Sequence, residues 1–337
     1  MAVRKPILIV SGSKTPNLVD VWGDALTKVT IRDEEGSESD ECVLTFRVRP
    51  PFPAMPPKGT KYVVSIGWET SGMAKTGVYT VQRRSIHGDP ESGHEMVVTC
   101  RSADLDGKAR AVDSAHYDDK TFGDIVSAVA GTMGLSTVVA PALRNLKIPY
   151  RVRLQQGALD FLTDLADEHG GAVKVADGKI VVVERGSGKS ASGASLPTLL
   201  LRYSPSYEFE FDLEPRAEVD ETEGEWWSDV EGRCVQEKSK MGKSGGRLRL
   251  PHPYASKDEA KRGAKAAAKE RQRQIGSGRV QGPGDPAAVA GCPVRCSGYG
   301  PDVDAQDWIA KAIEHDIDPG SGWLTTYELE VKGEESD

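Results

Sequence analysis

The sequence predicts a mainly β protein in which two strand-rich stretches flank a small α+β domain. Three observations carry that class. Short Val, Ile, Thr and Leu runs alternate with polar residues over 1–110 and return over 189–337, punctuated by 36 Gly and 20 Pro in 337 residues. Two amphipathic helical patterns and a tight-turn hairpin fall together in 111–188. A third helical pattern, near 256–275, stands alone inside the second strand-rich stretch.

In the first stretch, Pro6 to Val10, Leu26 to Arg32, Cys42 to Val48, Tyr62 to Trp68, Gly77 to Arg83 and Glu95 to Arg101 read as strands. Their spacing fits a sandwich or barrel. The acidic run from Asp33 to Glu41 reads as a solvated hairpin loop. The PPFPAMPPKG segment is a stiff connection that no central strand can contain.

The middle unit opens at Thr121, an N-cap with Asp124 three residues on in the capping-box position. Phe122, Ile125, Val126, Val129 and Met133 form one apolar stripe, and Gly134 stops the helix. Thr137 to Pro141 and Ile148 to Leu154 look extended. A second helix places Leu159, Leu162, Leu165, Ala166 and His169 on one side, widened by Phe161, and ends at Gly170-Gly171. Val173 and Val175 then pair with Ile180 to Val183 across an Asp177-Gly178 turn. GSGKSASGAS, from Gly186 to Ser195, reads as a flexible linker or long loop.

In the last stretch, Ser256 to Glu259 form a capping box for a helix that runs through AKRGAKAAAKERQRQI to Gly276. Ala260, Ala264, Ala267 and Ala268 make its inner face, closed by Ile275. Lys261, Arg262, Lys265, Lys269, Arg271 and Arg273 make a basic outer face, either solvated or a docking face for an acidic partner. Glu208, Glu210 and Asp212 alternate with Phe209 and Phe211, as in a strand with one wet face.

Composition narrows the function classes. With 51 acidic against 43 basic residues the net charge is −8, which disfavours a general nucleic-acid binder. Five scattered cysteines (Cys42, Cys100, Cys234, Cys292, Cys296) do not make a disulfide framework and read as free, mostly buried thiols of a reducing cytoplasm. The apolar run Ile7 to Val10 is too short for a signal-peptide core, and no apolar segment is long enough for a bilayer span, so no membrane insertion is expected.

No residue qualifies as catalytic, cofactor-binding or metal-ligating, and no cofactor is expected. Gly188-Lys189-Ser190 and Gly242-Lys243-Ser244 mimic the end of a P-loop, but Val183 and Glu237 stand where its first glycine is required. Cys292 and Cys296 have no second ligand pair at zinc spacing. His169 reads as a C-terminal cap, and His315 as a hydrogen-bonded structural residue. The carboxylate pairs define no cleft.

KGTKYVVSIGW followed by TGVYTVQR, then VVTCRSADL, HYDDKTFGDIVSAVAGTMGL, LQQGALDFLTDLADEHGG, EWWSDVEGR, the Ala-rich helix, AGCPVRCSGYG and IEHDIDPGSGWLTTYELEV follow one another along the chain. In this order they resemble the phage late control protein D family, the baseplate hub of contractile tails, and the related section of type VI secretion spike proteins. His315, Gly322 and Thr326 fall at family-like places. The acidic loop at 33–41 and the proline cluster at 50–57 depart from the family pattern.

The resemblance implies two tube-like β-barrel domains, 1–110 and 189–337, flanking the α+β domain 111–188. It implies a non-enzymatic homotrimer whose pseudo-sixfold ring adapts the sixfold tail tube to a threefold spike. The implied partners are a central spike protein on a separate chain, the tail tube protein, and baseplate wedge and tape measure proteins. DNA is expected to pass the lumen without specific binding, which an acidic lining favours. The implied location is the virion tail baseplate, assembled in the host cytoplasm. Two other classes stay open: a tail-associated cell-wall hydrolase, or a host-surface binding module stacking sugars on Trp226, Trp227 or Trp323.

Overall fold

A computed structural model of the chain describes residues 5–36, 39–69, 71–90, 93–103, 111–213, 219–240, 246–319 and 322–333. The Gly242-Lys243-Ser244 triplet, the first domain boundary at 110 and the tip of the acidic loop lie outside them. The protein is mainly β.

The N-terminal strands are β1 (Pro6–Ser11), β2 (Leu26–Glu34), β3 (Glu41–Val48), β4 (Lys61–Trp68), β5 (Ser71–Asp89) and β6 (Gly93–Arg101), with a short helix α1 (Val19–Trp22). The middle unit holds β7 (Val112–Thr121), α2 (Phe122–Met133), β8 (Ser136–Val139), α3 (Pro141–Arg144), β9 (Lys147–Gly157), α4 (Ala158–Glu168), β10 (Gly171–Ala176) and β11 (Lys179–Glu184). Next come β12 (Leu199–Arg202), β13 (Phe209–Leu213), β14 (Val219–Ser228), β15 (Arg233–Lys240), β16 (Gly246–Arg249) and α5 (Lys257–Arg273). The chain closes with β17 (Gly276–Pro283), β18 (Pro293–Ser297), α6 (Pro301–Asp304), β19 (Trp308–Asp318) and β20 (Gly322–Val331).

Twelve strands form one sheet in the order β1-β4-β5-β6-β3-β2-β19-β20-β17-β13, with β18 beside β19 and β12 beside β18. Six come from the N-terminal stretch and six from the C-terminal one. The two halves meet where β2 pairs antiparallel with β19, from Glu34 opposite Ala312 to Val29 opposite Ile317. This path is open, ending at β1 and β13, and no closed barrel is found among the described residues.

Alternation decides which face is dry. In the N-terminal half Val29, Ile31, Leu44, Phe46, Val64, Val98 and Cys100 point into one core. In the C-terminal half Val280, Val294, Trp308, Ile313, Tyr327 and Leu329 form another. The seam between halves is packed: Trp323 and Ile317 belong to the first core, Trp68 stacks on Trp323 at 5.0 Å, and the Trp68 indole donates to the Gly284 carbonyl at 2.9 Å. A buried indole N–H requires such an acceptor.

The middle unit follows its sequence signals. Thr121 accepts from the Asp124 amide and the Asp124 carboxylate accepts from the Thr121 amide, so the expected capping box forms, and Gly134 ends α2 in the left-handed region at φ 75°. Phe122, Ile125, Val126 and Val129 pack with Phe161, Leu162 and Leu165 of α4 over the β10–β11 hairpin. Asp177 and Gly178 turn that hairpin with positive φ at both positions. The Gly186 to Ser195 stretch is the long loop of the two alternatives, closed on itself by its own bonds. Ser190 and Leu196 amides donate to Ala194 and Gly188 carbonyls, Lys189 bridges Ser195, and Ala191 is buried.

Strands β14, β15 and β16 do not join the large sheet. They make a three-stranded sheet, β15-β14-β16, covered on one side by α5. Ala260, Gly263, Ala264 and Ala268 form the helix's buried face, whereas Ala267 is half-buried and Ile275 is exposed. The approach is close enough that a Cβ on Gly224 would stand 2.5 Å from the Ala260 carbonyl oxygen. The Cys292 and Cys296 thiols are buried in the C-terminal core, four of the five cysteines are buried, and all five are free.

Candidate functional site

The face of the large sheet opposite the two cores is polar across most of its width. Residues directly opposite each other on neighbouring strands share a face. By that register Arg101, Glu41, Arg32 and Glu314 make a row of alternating charge from β6 through β3 and β2 to β19. Glu328, Arg279 and Glu210 make a second row over β20, β17 and β13. Beyond the first row, on the side away from the second, lie Lys28, Thr30, Thr45, Thr99 and Asp316.

Neighbours on this face neutralise each other. Arg101 meets Glu41 at 3.2 Å, Lys28 meets Asp316 at 2.8 Å, and Thr30 donates to Asp316 at 2.7 Å. Arg32 donates both terminal nitrogens to Glu328, at 2.8 and 2.9 Å, with Glu314 3.6 Å away. The fork raises the Arg32 pKa above its ordinary value and holds the Glu328 carboxyl below its own. Cross-strand ion pairs of this kind contribute about 0.2–1 kcal/mol each. Their larger effect is to hold the cations flat among carboxylates.

Two edges of the sheet carry opposite charge. The outer half of β5, from Arg83 onward, pairs only with β6 among the described residues and exposes Arg83, Arg84, Ile86 and His87. At the far end β13 pairs only with β17 among those residues, and exposes Glu208, Phe209, Glu210, Asp212 and Leu213 along it or just before it. The wet-face alternation expected for Glu208 to Asp212 is present, with Phe211 turned onto Trp308, 5.3 Å between rings. Exposed edges of this kind either seek a partner strand or must be defended against one.

Helix α5 is less available than its sequence suggests. Arg273 is buried against Glu270 and Glu330, Lys269 reaches Glu184 at 3.5 Å, and Arg262 donates to the Lys147 carbonyl. Only Lys261 and Arg271 of the six basic residues are exposed. The helix ties the three-stranded sheet to α4 and β20 rather than presenting a free basic face.

The acidic loop is the feature that sequence reasoning misread. Asp33 and Asp40 are not solvated: both hold the Lys174 ammonium of β10, Asp40 at 2.8 Å, and Asp33 also accepts the Ala290 amide at 2.9 Å. Glu35 accepts the Gly186 amide at 3.1 Å. Three parts of the chain are thereby joined. Burial drives Asp40 up to about 7, helped by the charge on Asp33, and burial likewise drives Glu35 up to about 7. Burial opposes charge on Asp33 too, but Lys174 and the Ala290 amide outweigh it and hold Asp33 below the ordinary carboxylate value. Lys174 is raised, its two carboxylate partners outweighing its burial. One cue was available: Asp33 continues the inward-facing series Val29, Ile31.

The histidines divide. His315 is buried and hydrogen-bonded to Thr325 at 3.0 Å, with the Trp323 indole donating to it at 3.3 Å, as expected. His169 is the C-cap residue of α4, as expected, but it caps through its backbone amide, which donates to the Ala166 carbonyl at 3.0 Å, and not through its ring. The ring lies edge-on to Phe122, and burial with nearby Arg262 and Arg151 lowers its pKa to about 4. Trp323 is core, Trp226 is half-buried and Trp227 is exposed. No described helix is long and apolar enough to cross a membrane. No group of three or more metal-ligating side chains occurs among the described residues.

The family model described as phage tail baseplate hub (GPD) matches residues 59–320. The chain belongs to the phage tail baseplate hub family. It is 27% identical over 348 residues to the probable baseplate hub protein of Escherichia phage P2, spanning 92% of this chain and 89% of that one. It is 25% identical to the counterpart in Escherichia phage 186 over the same shares. Its fold is shared with a tail protein from Neisseria meningitidis MC58 at a TM-score of 0.67 and 13% identity, covering 97% and 96% of the two chains. The 43 kDa tail protein of prophage MuSo2 from Shewanella oneidensis gives 0.66 and 15%, covering 96% and 98%. The E. coli c3393 protein, a type VI secretion component, gives 0.60 and 12%, covering 98% of this chain and 77% of that one. The hub is thus a tail baseplate component with relatives in contractile phages.

Proposed function

We propose that this hub is a non-enzymatic homotrimer whose two strand-rich halves, 1–110 and 189–337, act as tube-like units flanking the α+β domain 111–188. Three copies then form a pseudo-sixfold ring between a sixfold tail tube and a threefold spike. The observation that carries the reading is the division of the large sheet into six N-terminal and six C-terminal strands, with oppositely charged free edges. Arg83, Arg84 and His87 of one copy face Glu208, Glu210 and Asp212 of the next, with Ile86 against Phe209. Such a head-to-tail contact repeats around a closed ring and covers these two charged edges. The polar sheet face looks into the bore, where acids in excess over pinned cations let DNA pass without binding. The spike, tube, tape measure and wedge proteins are its neighbours in the baseplate, and assembly takes place in the host cytoplasm.

Light scattering tests this. The wild-type chain, alone or with the spike protein, is expected at three copies, and Arg83→Glu/Arg84→Glu at one. A wild type that stays single with its spike, or a reversed variant with unchanged mass, overturns the edge contact.

A further inference from the structure

Two of the five free cysteines stand opposite each other. Cys42 of β3 and Cys100 of β6 are direct partners in an antiparallel register that runs without a bulge. Both point into the N-terminal core, at 1% and 0% exposure. No other two cysteines are register partners. Cys292 and Cys296 are about 13 Å apart along an extended segment, and Cys234 is exposed on β15.

The kind of pair sets the distance. The Ser102 amide donates to the Asp40 carbonyl at 2.9 Å, just beyond the ends of the two strands. Hydrogen-bonded and non-hydrogen-bonded pairs alternate along an antiparallel ladder. Cys42 and Cys100, two residues further in, are therefore a hydrogen-bonded pair, with Cα atoms about 5.5 Å apart. A disulfide spans Cα separations of about 4.4–6.8 Å, so the backbone is already in place for one. The Cβ atoms lie near the wide end of the about 4.5–5.5 Å found across strands and must draw in to about 3.8 Å. A bond closed in this way is strained, and strained disulfides are the more easily reduced ones.

Burial also slows the chemistry. It pushes the Cys42 thiol well up and the Cys100 thiol up to about 12, which leaves little thiolate at neutral pH.

We propose that Cys42 and Cys100 form a redox pair, held as thiols in the reducing cytoplasm and joined by a cross-strand disulfide after the particle leaves the cell and meets dioxygen. Each thiol gives up one hydrogen, the two sulfurs bond, and dioxygen takes both hydrogens with their electrons and leaves as hydrogen peroxide. The move to an oxidising medium rests on the hub reading; the pairing of the two cysteines does not. The strand order β5-β6-β3-β2-β19 places the bond between the basic edge and the seam. Closing it ties the strand beside that edge to the strand beside the seam.

The test takes the full chain with Cys234→Ser, so that the exposed thiol cannot bridge copies. Protein purified under reductant is moved to air-saturated buffer with a trace of copper phenanthroline. Denatured samples are counted for thiols, weighed intact and peptide-mapped without reduction. The folded protein is expected to lose two thiols per chain and the mass of two hydrogens, and to yield peptides joined at Cys42 and Cys100. Adding Cys42→Ala or Cys100→Ala is expected to leave the remaining partner a thiol. Returned to a glutathione buffer of cytoplasmic poise until the count is constant, the oxidised protein is expected to regain both thiols. Thiols that survive at both positions, or a bond made with another cysteine, overturn the proposal. A bond that glutathione does not reopen overturns the switch, because the pair is then a permanent link. None of these counts depends on copy number, so a hub that proves single by light scattering overturns only the timing and leaves the pairing to its own result.

Discussion

Replacing Lys174 by Met removes the one cation between Asp33 and Asp40. At 2.8 Å and an effective dielectric of about 20, each carboxylate contact has a gross attraction of about 6 kcal/mol, much of it offset by desolvation. Breaking a buried pair by deleting one partner costs about 3–5 kcal/mol. Set against a typical unfolding free energy of about 5–15 kcal/mol, that is a severe lesion. The pH dependence gives the loss its signature. In the wild type Asp40 and Glu35 keep their protons up to about 7, so their contribution is full in acid and drains away as pH rises through 7. Asp33, held below its ordinary value, contributes above that value and is lost in stronger acid. The seam is therefore strongest near the ordinary carboxylate value, about 4, and weakens steadily as pH rises from there through 7. Without Lys174 both aspartates are driven upward, so Lys174→Met loses more stability at pH 8 than at pH 5.5. Urea unfolding followed by tryptophan fluorescence at the two pH values measures this. The triple variant Asp33→Asn/Asp40→Asn/Lys174→Met, which leaves no charge to strand, recovers most of the loss at pH 8. A Lys174→Met loss that is equal at the two pH values, or below about 1 kcal/mol at both, refutes the electrostatic account of the seam.

Two further outcomes follow from the packing and from the polar face. Gly224→Ala brings a Cβ to 2.5 Å from the Ala260 carbonyl oxygen and 3.3 Å from its Cα, so α5 must shift, costing about 1–3 kcal/mol in denaturant titrations; an unchanged or raised midpoint contradicts the close approach. Glu314→Lys/Glu328→Lys reverses the acids that pin Arg32, and the variant should retard duplex DNA in a low-salt gel, an effect erased by added salt, while the wild type does not. Equal retardation by both proteins rules out the charge-lined bore.

Much of the local structure was legible. The capping box at Thr121, the Gly134 stop, the Asp177-Gly178 turn and most strand cores appear where periodicity and turn chemistry place them. These signals are local, and a few neighbouring residues decide each one. What stayed hidden depends on distant partners. β7 was missed because, among the described residues, Val112 to Thr121 pairs only with β9, and it lacks the inward apolar series that marks a half-buried strand. The acidic loop looked solvated because nothing near it in sequence announces Lys174, more than 130 residues away. The basic face of α5 looked free for the same reason: Glu184, Glu330 and the Lys147 carbonyl come from three other segments. Of the two charged edges only the acidic one shows along the chain, as the alternation of Glu208, Glu210 and Asp212 with Phe209 and Phe211.

On the ring reading, the junction of β2 with β19 does more than join two halves. It places both in one hydrogen-bonded sheet, packed across the seam by Trp68 and Trp323. The angle between the halves is then set by sheet twist and core packing, which are stiff. A linker between separate barrels would leave that angle soft, and six tube-like units would not keep even spacing around the bore. The second constraint comes from the other side. Lys174 fixes the middle unit to the loop that follows β2, at the same junction, and Arg273 fixes α5 to β20 one strand further on. Both appended units are therefore tied to strands beside the seam, and the middle unit is also tied to β5, where Asp177 meets Lys75 and the Val78 amide. On the ring reading, what hangs from the subunit is held to the same stiff sheet that sets how the ring closes.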